Sequence, residues 1–179
     1  MTSQVKTKNL DEMLKDAISL VKSIGITPGK IRPKVIINKR AIGMFGRCKR
    51  KYVNGIEEFE IEISQYLLES EEGTMNTLIH EVLHTCKGCL NHGKIWTSYA
   101  NKVTRELGYK ITRTSTCESK GIKPIEPKYL VKCVSCGSEN GRHRMTKLIS
   151  KTELYRCTCG GHLKRIKWLY CQPNTVERK

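Results

Sequence analysis

His80-Glu81-Val82-Leu83-His84, with His92 eight residues further on, is the stretch that decides how this chain reads. It has the pattern H-E-x-x-H followed by a third histidine. Residues four apart lie on one face of a helix, so His80 and His84 can face a single metal ion. Glu81 stands beside them, placed to hold a water and not the metal. This is the arrangement of a zinc-dependent peptidase. Zinc activates the water, and the glutamate takes its proton as the water attacks a carbonyl. Three protein ligands leave a fourth position open, which marks a catalytic site and not a closed structural one.

The flanking residues support a helix. Thr74 can cap its start after Gly73. Met75, Leu78, Ile79, Val82, Leu83 and Cys86 then recur at helical spacing as an apolar stripe, and Gly88 is the expected stop. A buried helix with two hydrogen-bonded histidines would explain the stripe. It would explain neither the glutamate nor the third histidine. A second helical pattern follows His92-Gly93: Ile95, Trp96, Tyr99, Val103 and Leu107, closed by Gly108. A short turn can therefore bring His92 back to the metal. Cys86 and Cys89 form a competing Cys-x-x-Cys, and thiolates bind zinc well. Cys86 lies two residues past His84, which on a helix points it away, so His92 is preferred.

A second metal signature lies near the other end. Cys133-Val-Ser-Cys136 and Cys157-Thr-Cys159 are two cysteine pairs separated by a basic, strand-like segment. Each pair can form a knuckle, and two knuckles make the four-thiolate shell of a structural zinc ribbon. Gly137, Gly160 and Gly161 follow them where the backbone must turn. The second pair has one intervening residue in place of the usual two, and His162 could replace Cys157 or Cys159. His143 lies too deep in the intervening loop. The expected complement is thus one catalytic and one structural zinc.

The remaining chain fits an α+β protein. Asn9 can cap a first helix whose face is Leu10, Met13, Leu14, Ala17, Ile18, Val21 and Ile24, with Gly25 as its stop. Val35 to Arg40 and the very basic Gly46 to Val53 read as strands, and Asn54-Gly55 is a hairpin signal. Phe59, Ile61 and Ile63 alternate with Glu58, Glu60 and Glu62, as in a half-buried strand. Gly121, Pro124 and Pro127 mark a linker. The expected organisation is a catalytic domain at 1–120, a linker at 121–127, a ribbon at 128–172 and a polar tail at 173–179.

Nine cysteines, an odd number, and no N-terminal apolar segment fit a reduced, cytoplasmic protein. No stretch is apolar enough to span a membrane. The formal net charge is +16, unevenly spread. Residues 1–119 carry 19 Lys and Arg against 13 acids, and residues 120–179 carry 14 against 4. Lys30 to Lys51 holds nine basic residues and no acid, and seven acids follow between Glu57 and Glu72. This asymmetry suggests a basic surface for nucleic acid, against the plainer reading of a solvated face. Lys132, Arg142, Arg144, Lys147, Lys164 and Arg165 are the candidate contacts in the ribbon. Tyr155 and Trp168 could stack on unpaired bases.

The chain resembles the SprT-like metalloproteases, which include bacterial SprT proteins and the eukaryotic Spartan proteases. The resemblance rests on Asn38 through Gly46-Arg47-Cys48, on Ile61-Glu62-Ile63-Ser64, on Thr77 through His84, and on His92-Gly93 with Trp96. Tyr129 to Cys136 and Tyr155 to Leu163 resemble the zinc ribbon of many bacterial members. It implies a zincin-like domain with a His80, His84, His92 zinc site. Through the eukaryotic branch it implies cleavage of proteins attached to DNA. The expected function is therefore a zinc endopeptidase acting on protein substrates, with Glu81 as general base and then proton shuttle. An extended substrate could pair with an exposed sheet edge. The alternative is a nucleic-acid-binding regulator or adaptor with an idle zincin domain. Tyr99 and Arg105 are loose candidates for holding the oxyanion.

Overall fold

The computed structural model describes residues 9–166. Trp168, the end of the expected ribbon and the polar tail lie outside the described residues, as do residues 1–8. The described residues form a mixed α+β structure in two compact units, divided after Pro124.

In the first unit, α1 spans Leu10–Ser23. Asn9 caps it by accepting from the Asp11 N–H, and Gly25 turns the chain away at φ 75°. Its apolar stripe buries Met13, Leu14, Ala17 and Val21. Three strands follow: β1 (Ile36–Asn38), shorter than the sequence pattern suggests, β2 (Gly46–Val53) and β3 (Ile56–Ser64). Asn54 and Gly55 both take positive φ, 51° and 77°, and close a tight β2–β3 hairpin. β3 is central, antiparallel to β2 and parallel to β1.

β3 departs from the half-buried expectation. Phe59, Ile61 and Ile63 face the core, but Glu60 and Glu62 are buried as well. Basic residues cover them. Lys51 pairs with Glu60 at 2.8 Å, Lys49 with Glu62, and Arg32 bridges Glu58 and Glu60 at 3.3 and 3.6 Å. Lys30 reaches Glu58 at 2.7 Å and Arg50 reaches Glu57 at 3.6 Å. Much of the basic run is thus zipped against the acidic cluster, so that run does not form a uniformly basic face.

α2 spans Glu71–Leu83 and is buried nearly all round, more than the single apolar stripe implies. Its N-cap is Ser70, not Thr74. The Ser70 hydroxyl accepts from the Gly73 N–H at 3.0 Å, and Glu71 and Glu72 complement the positive helix end. Thr74 sits inside the helix and donates to the Leu67 carbonyl. The helix also ends well before Gly88, with His84 as its C-cap. α3 spans Lys94–Leu107 and stops at Gly108, φ 77°, as its pattern indicates. It buries Trp96, Ala100 and Val103, while Ile95 is exposed.

In the second unit, β4 (Tyr129–Cys133) lies between β5 (Glu139–Arg142) and β6 (Leu163–Ile166), antiparallel to both. A one-turn helix, α4 (Lys147–Ser150), buries Ile149, and Val131 of β4 is also fully buried. Among the described residues this apolar core is small, and the cysteine cluster described below offers a further staple.

Candidate active site and metal centres

The end of α2 and the turn after it bring three imidazoles together. His80 lies in the last turn of α2 and His84 at its C-cap. The chain reverses through Gly88, φ 78°, and returns His92 just before α3. The three Nε2 atoms form a triangle with edges of 3.2, 3.1 and 3.0 Å. His84 Nδ1 lies 2.7 Å from the Cys89 carbonyl, so that nitrogen carries the proton and donates it. Its Nε2 is left with a lone pair facing the other two rings. A backbone hydrogen bond at Thr112 supports His80. Burial, aided by the neighbouring imidazoles, pushes His80 down to about 3, and burial also lowers His84 and His92. These shifts favour the neutral imidazole, the form that ligates a metal. The donor set fits zinc.

Trp96 of α3 touches every one of these rings. It stacks on His84 with centroids 5.5 Å apart and meets His80 and His92 edge-on at 4.7 and 4.4 Å. The sequence supplied Trp96 as part of a motif; its contact with all three imidazoles is visible only in the fold.

Glu81 is 5% exposed. Burial pushes its carboxyl up to about 8, opposed by a hydrogen bond from the Cys48 backbone and by the positive charge of Lys120. A carboxyl whose pKa lies near neutrality can accept and return a proton. Gly46, the first residue of β2, lies directly against it. A Cβ at Gly46 would collide with Glu81 Oε1 and stand 2.6 Å from Thr77 Cγ2. Only glycine lets the strand approach the helix so closely. Glu81, Gly46, Cys48 and the three histidines line one cleft of about 620 Å³.

The rival ligands fall elsewhere. Cys86 and Cys89 are buried in the apolar core, and burial pushes the Cys86 thiol up to about 12. Cys89 serves the site through its backbone carbonyl. Tyr99 packs against the core and Arg105 pairs with Glu106 at 2.8 Å, so neither is an oxyanion candidate lining the cleft. Two cations absent from the sequence reading do line it, Lys120 and Arg113. Burial lowers Lys120 to about 8, opposed by Glu81. Lys120 falls where the sequence gives only the approach to a linker; the one local hint is Gly121 behind it.

The second unit gathers Cys133, Cys136, Cys157 and Cys159, with all four sulfurs within 4.8 Å of one another. Cys133 Sγ lies 3.6 Å from Cys159 Sγ, and Cys136 Sγ 3.6 Å from Cys157 Sγ. Gly137 (φ 74°) and Gly160 (φ 84°) close the two knuckles. The Cys136 and Ser135 N–H groups draw Cys133 down to about 6, and the Cys159 N–H lowers Cys157. At Cys136 the Ser138 N–H acts in the same direction, but the surrounding sulfurs outweigh it and push that thiol up to about 12. Four crowded thiols that cannot all ionise alone form a site that a soft cation relieves. Neither His143 nor His162 belongs to the cluster; His162 bridges to Arg156 through its backbone.

The basic candidates of this unit are dispersed. Lys132 and Lys164 stand opposite each other across β4 and β6, and Lys132 also pairs with Glu139 at 3.3 Å. Arg165 is adjacent and alternates to the other face. Arg142 turns onto the Gly141 carbonyl at 2.8 Å and onto Asn140. Arg144 and Lys147 are exposed near α4, and Tyr155 is partly exposed.

The SprT-like family model matches residues 14–116, over half the chain. The chain belongs to the SprT-like family. Its SprT-like region carries the whole histidine and glutamate site, and the family's link to zinc metalloproteases agrees with a histidine triad able to hold a metal ion. One similar protein is the germ cell nuclear acidic protein of Drosophila melanogaster, 28% identical over 116 residues. That match covers 63% of this chain and 11% of the relative's length. No solved structure matches. Among the described residues, no helix is long and apolar enough to cross a membrane.

Proposed function

We propose that this SprT-like protein is a zinc-dependent endopeptidase of zincin-like architecture, with one catalytic and one structural zinc. The observation that carries this reading is the triangle of three imidazole Nε2 atoms in the same cleft as a buried glutamate. His80, His84 and His92 would hold a zinc ion, which would supply Lewis-acid activation of the carbonyl and of the attacking water. Glu81 takes the proton as the water oxygen attacks the peptide carbon, then returns it to the amine as the C–N bond breaks. β2 is an edge strand whose Gly46–Cys48 end borders the cleft, so an extended protein segment can add alongside it. Cys133, Cys136, Cys157 and Cys159 hold the structural ion.

The substrate class is protein associated with or attached to DNA. The exposed Lys132, Arg144, Lys147, Lys164 and Arg165 support this reading, as does the family's eukaryotic branch. An idle site serving a nucleic-acid-binding regulator is the weaker reading, because the buried base is intact. The test is cleavage of an unfolded protein by zinc-loaded enzyme, with and without DNA, beside a Glu81→Gln variant. Glu81→Gln should retain zinc and lose activity by about 10²-fold or more, the scale of a positioned general base. Wild-type protein that binds zinc and cleaves nothing, with or without DNA, would refute the peptidase. DNA affinity should also fall steeply with salt, and salt-independent binding would count against phosphate contacts.

A further inference from the structure

Lysines are almost never fully buried unless paired. Lys120 is 8% exposed, and among the described residues its ammonium forms no ion pair and no side-chain hydrogen bond. It lines the catalytic cleft together with His80 and Glu81, and it interacts electrostatically with both. The backbone fixes it there. Lys120 ends a 3-10 turn, Glu118–Lys120, in which its N–H donates to the Cys117 carbonyl at 3.1 Å. Gly121 then takes a left-handed conformation, φ 65°, and Ile122 N–H returns to Cys117 at 3.0 Å. The Lys120 carbonyl lies directly against Gly73 of α2, where any Cβ would collide with it. The turn is thus seated on the same helix that carries His80 and Glu81. The family match ends at residue 116, so it assigns nothing to this position.

A lysine ammonium held on the wall of this cleft, with the Glu81 carboxyl as a nearby opposite charge, is placed to meet a further anion that forms there. Peptide cleavage creates one: as the water oxygen bonds to the carbonyl carbon, the C=O electron pair moves onto oxygen. We propose that the Lys120 ammonium is the electrophilic group that holds this oxyanion, an assignment that rests on the peptidase reading above. When the C–N bond breaks, the charge returns to the carbonyl and Lys120 is released unchanged. Arg113, the other cation of the cleft, is exposed, so the fold does not hold it in one place as it holds Lys120. Preorganised donors at an oxyanion act most strongly where water is excluded.

The test uses zinc-loaded full-length protein and its Lys120→Met and Lys120→Arg variants on an unfolded protein substrate. Lys120→Met should keep zinc and fold, lose about 10²–10³-fold in kcat, and change KM little. Lys120→Arg should recover part of the loss. Wild-type kcat in Lys120→Met would overturn the assignment. So would a fall in zinc content that tracks the loss of activity. A phosphinic peptide, which presents a tetrahedral anion, gives a reading that needs no variant. Its binding should shield Lys120 of the wild type from reductive methylation, read by mass spectrometry, more than an uncharged peptide of the same sequence does. Equal shielding by both peptides would also overturn it. An active wild type with an unimpaired Lys120→Met rejects Lys120 alone, whereas an inactive wild type rejects the peptidase itself.

Discussion

The backbone of Gly46 and the carboxylate of Glu81 occupy adjoining space with no room for a side chain between them. Strand β2 therefore sets where the glutamate can point. Gly46→Ala should force Glu81 aside while leaving the three histidines in place. A misplacement of about 1 Å at a reacting group can cost about 10²-fold. Zinc content should be unchanged and kcat should fall by roughly that factor, as measured by steady-state cleavage and elemental analysis. Wild-type kcat would show that the strand yields and that the glycine is dispensable.

The third ligand can be checked against its rival. His92→Ala should lower zinc occupancy of the histidine site, because it removes one corner of the Nε2 triangle. Cys86→Ser with Cys89→Ser should keep that zinc, since Cys89 supports His84 through its carbonyl and not its sulfur. The double variant should instead lower the melting temperature, because both side chains sit in the apolar core. Metal lost from the cysteine variant and kept in His92→Ala would reverse the assignment.

Metal removal should act on the two units differently. Elemental analysis should give two zinc ions per chain. Cys133→Ser with Cys136→Ser should leave one. It should also melt the β4–β5–β6 sheet, since the apolar core among the described residues of that unit is small and an ion bound to the four cysteines would stabilise the fold. The helical signal of α1, α2 and α3 should persist in circular dichroism. A second unit that keeps its hydrogen-exchange protection without metal would contradict this.

Acid sensitivity should appear at the buried ladder of β2 and β3. Burial alone would raise Glu62, but hydrogen bonds from Lys49 and Asn38, with the charges of Lys49 and Arg47, hold it below the ordinary carboxylate range. A depressed folded pKa stabilises the fold above the unfolded value, about 4.3, and that contribution is lost as pH falls through the folded pKa. Lys49→Met should therefore be less stable than wild type at pH 7, and the gap should close toward pH 3. Denaturant titrations at both pH values read it directly. An equal gap at both would mean that Lys49 acts through packing and not through charge.

Much of the local structure was legible in the residues. Asn9 and Gly25 bound α1, Asn54-Gly55 closes the hairpin, and Gly108 stops α3, because each rule involves neighbours only a few positions apart. The cap of α2 is not legible locally, because Ser70 and Thr74 both suit a helix start and the choice between them depends on the turn that precedes the helix. The glutamates of β3 read as a solvent face because a strand pattern does not reveal what will cover it. Here basic residues from β2 and from Lys30 and Arg32 fold over them.

By itself the sequence determined which atoms could hold metal. His80 and His84 share a face by helical periodicity, and each cysteine pair is close in the chain, so short-range geometry sufficed. Only the tertiary structure decided what surrounds them: Trp96 against all three imidazoles, Gly46 against Glu81, Cys86 and Cys89 in the core, and Lys120 in the cleft. Those relationships join segments remote in the chain. They arise from burying one helix, α2, on almost every side, and no local pattern encodes which remote residues will complete that burial.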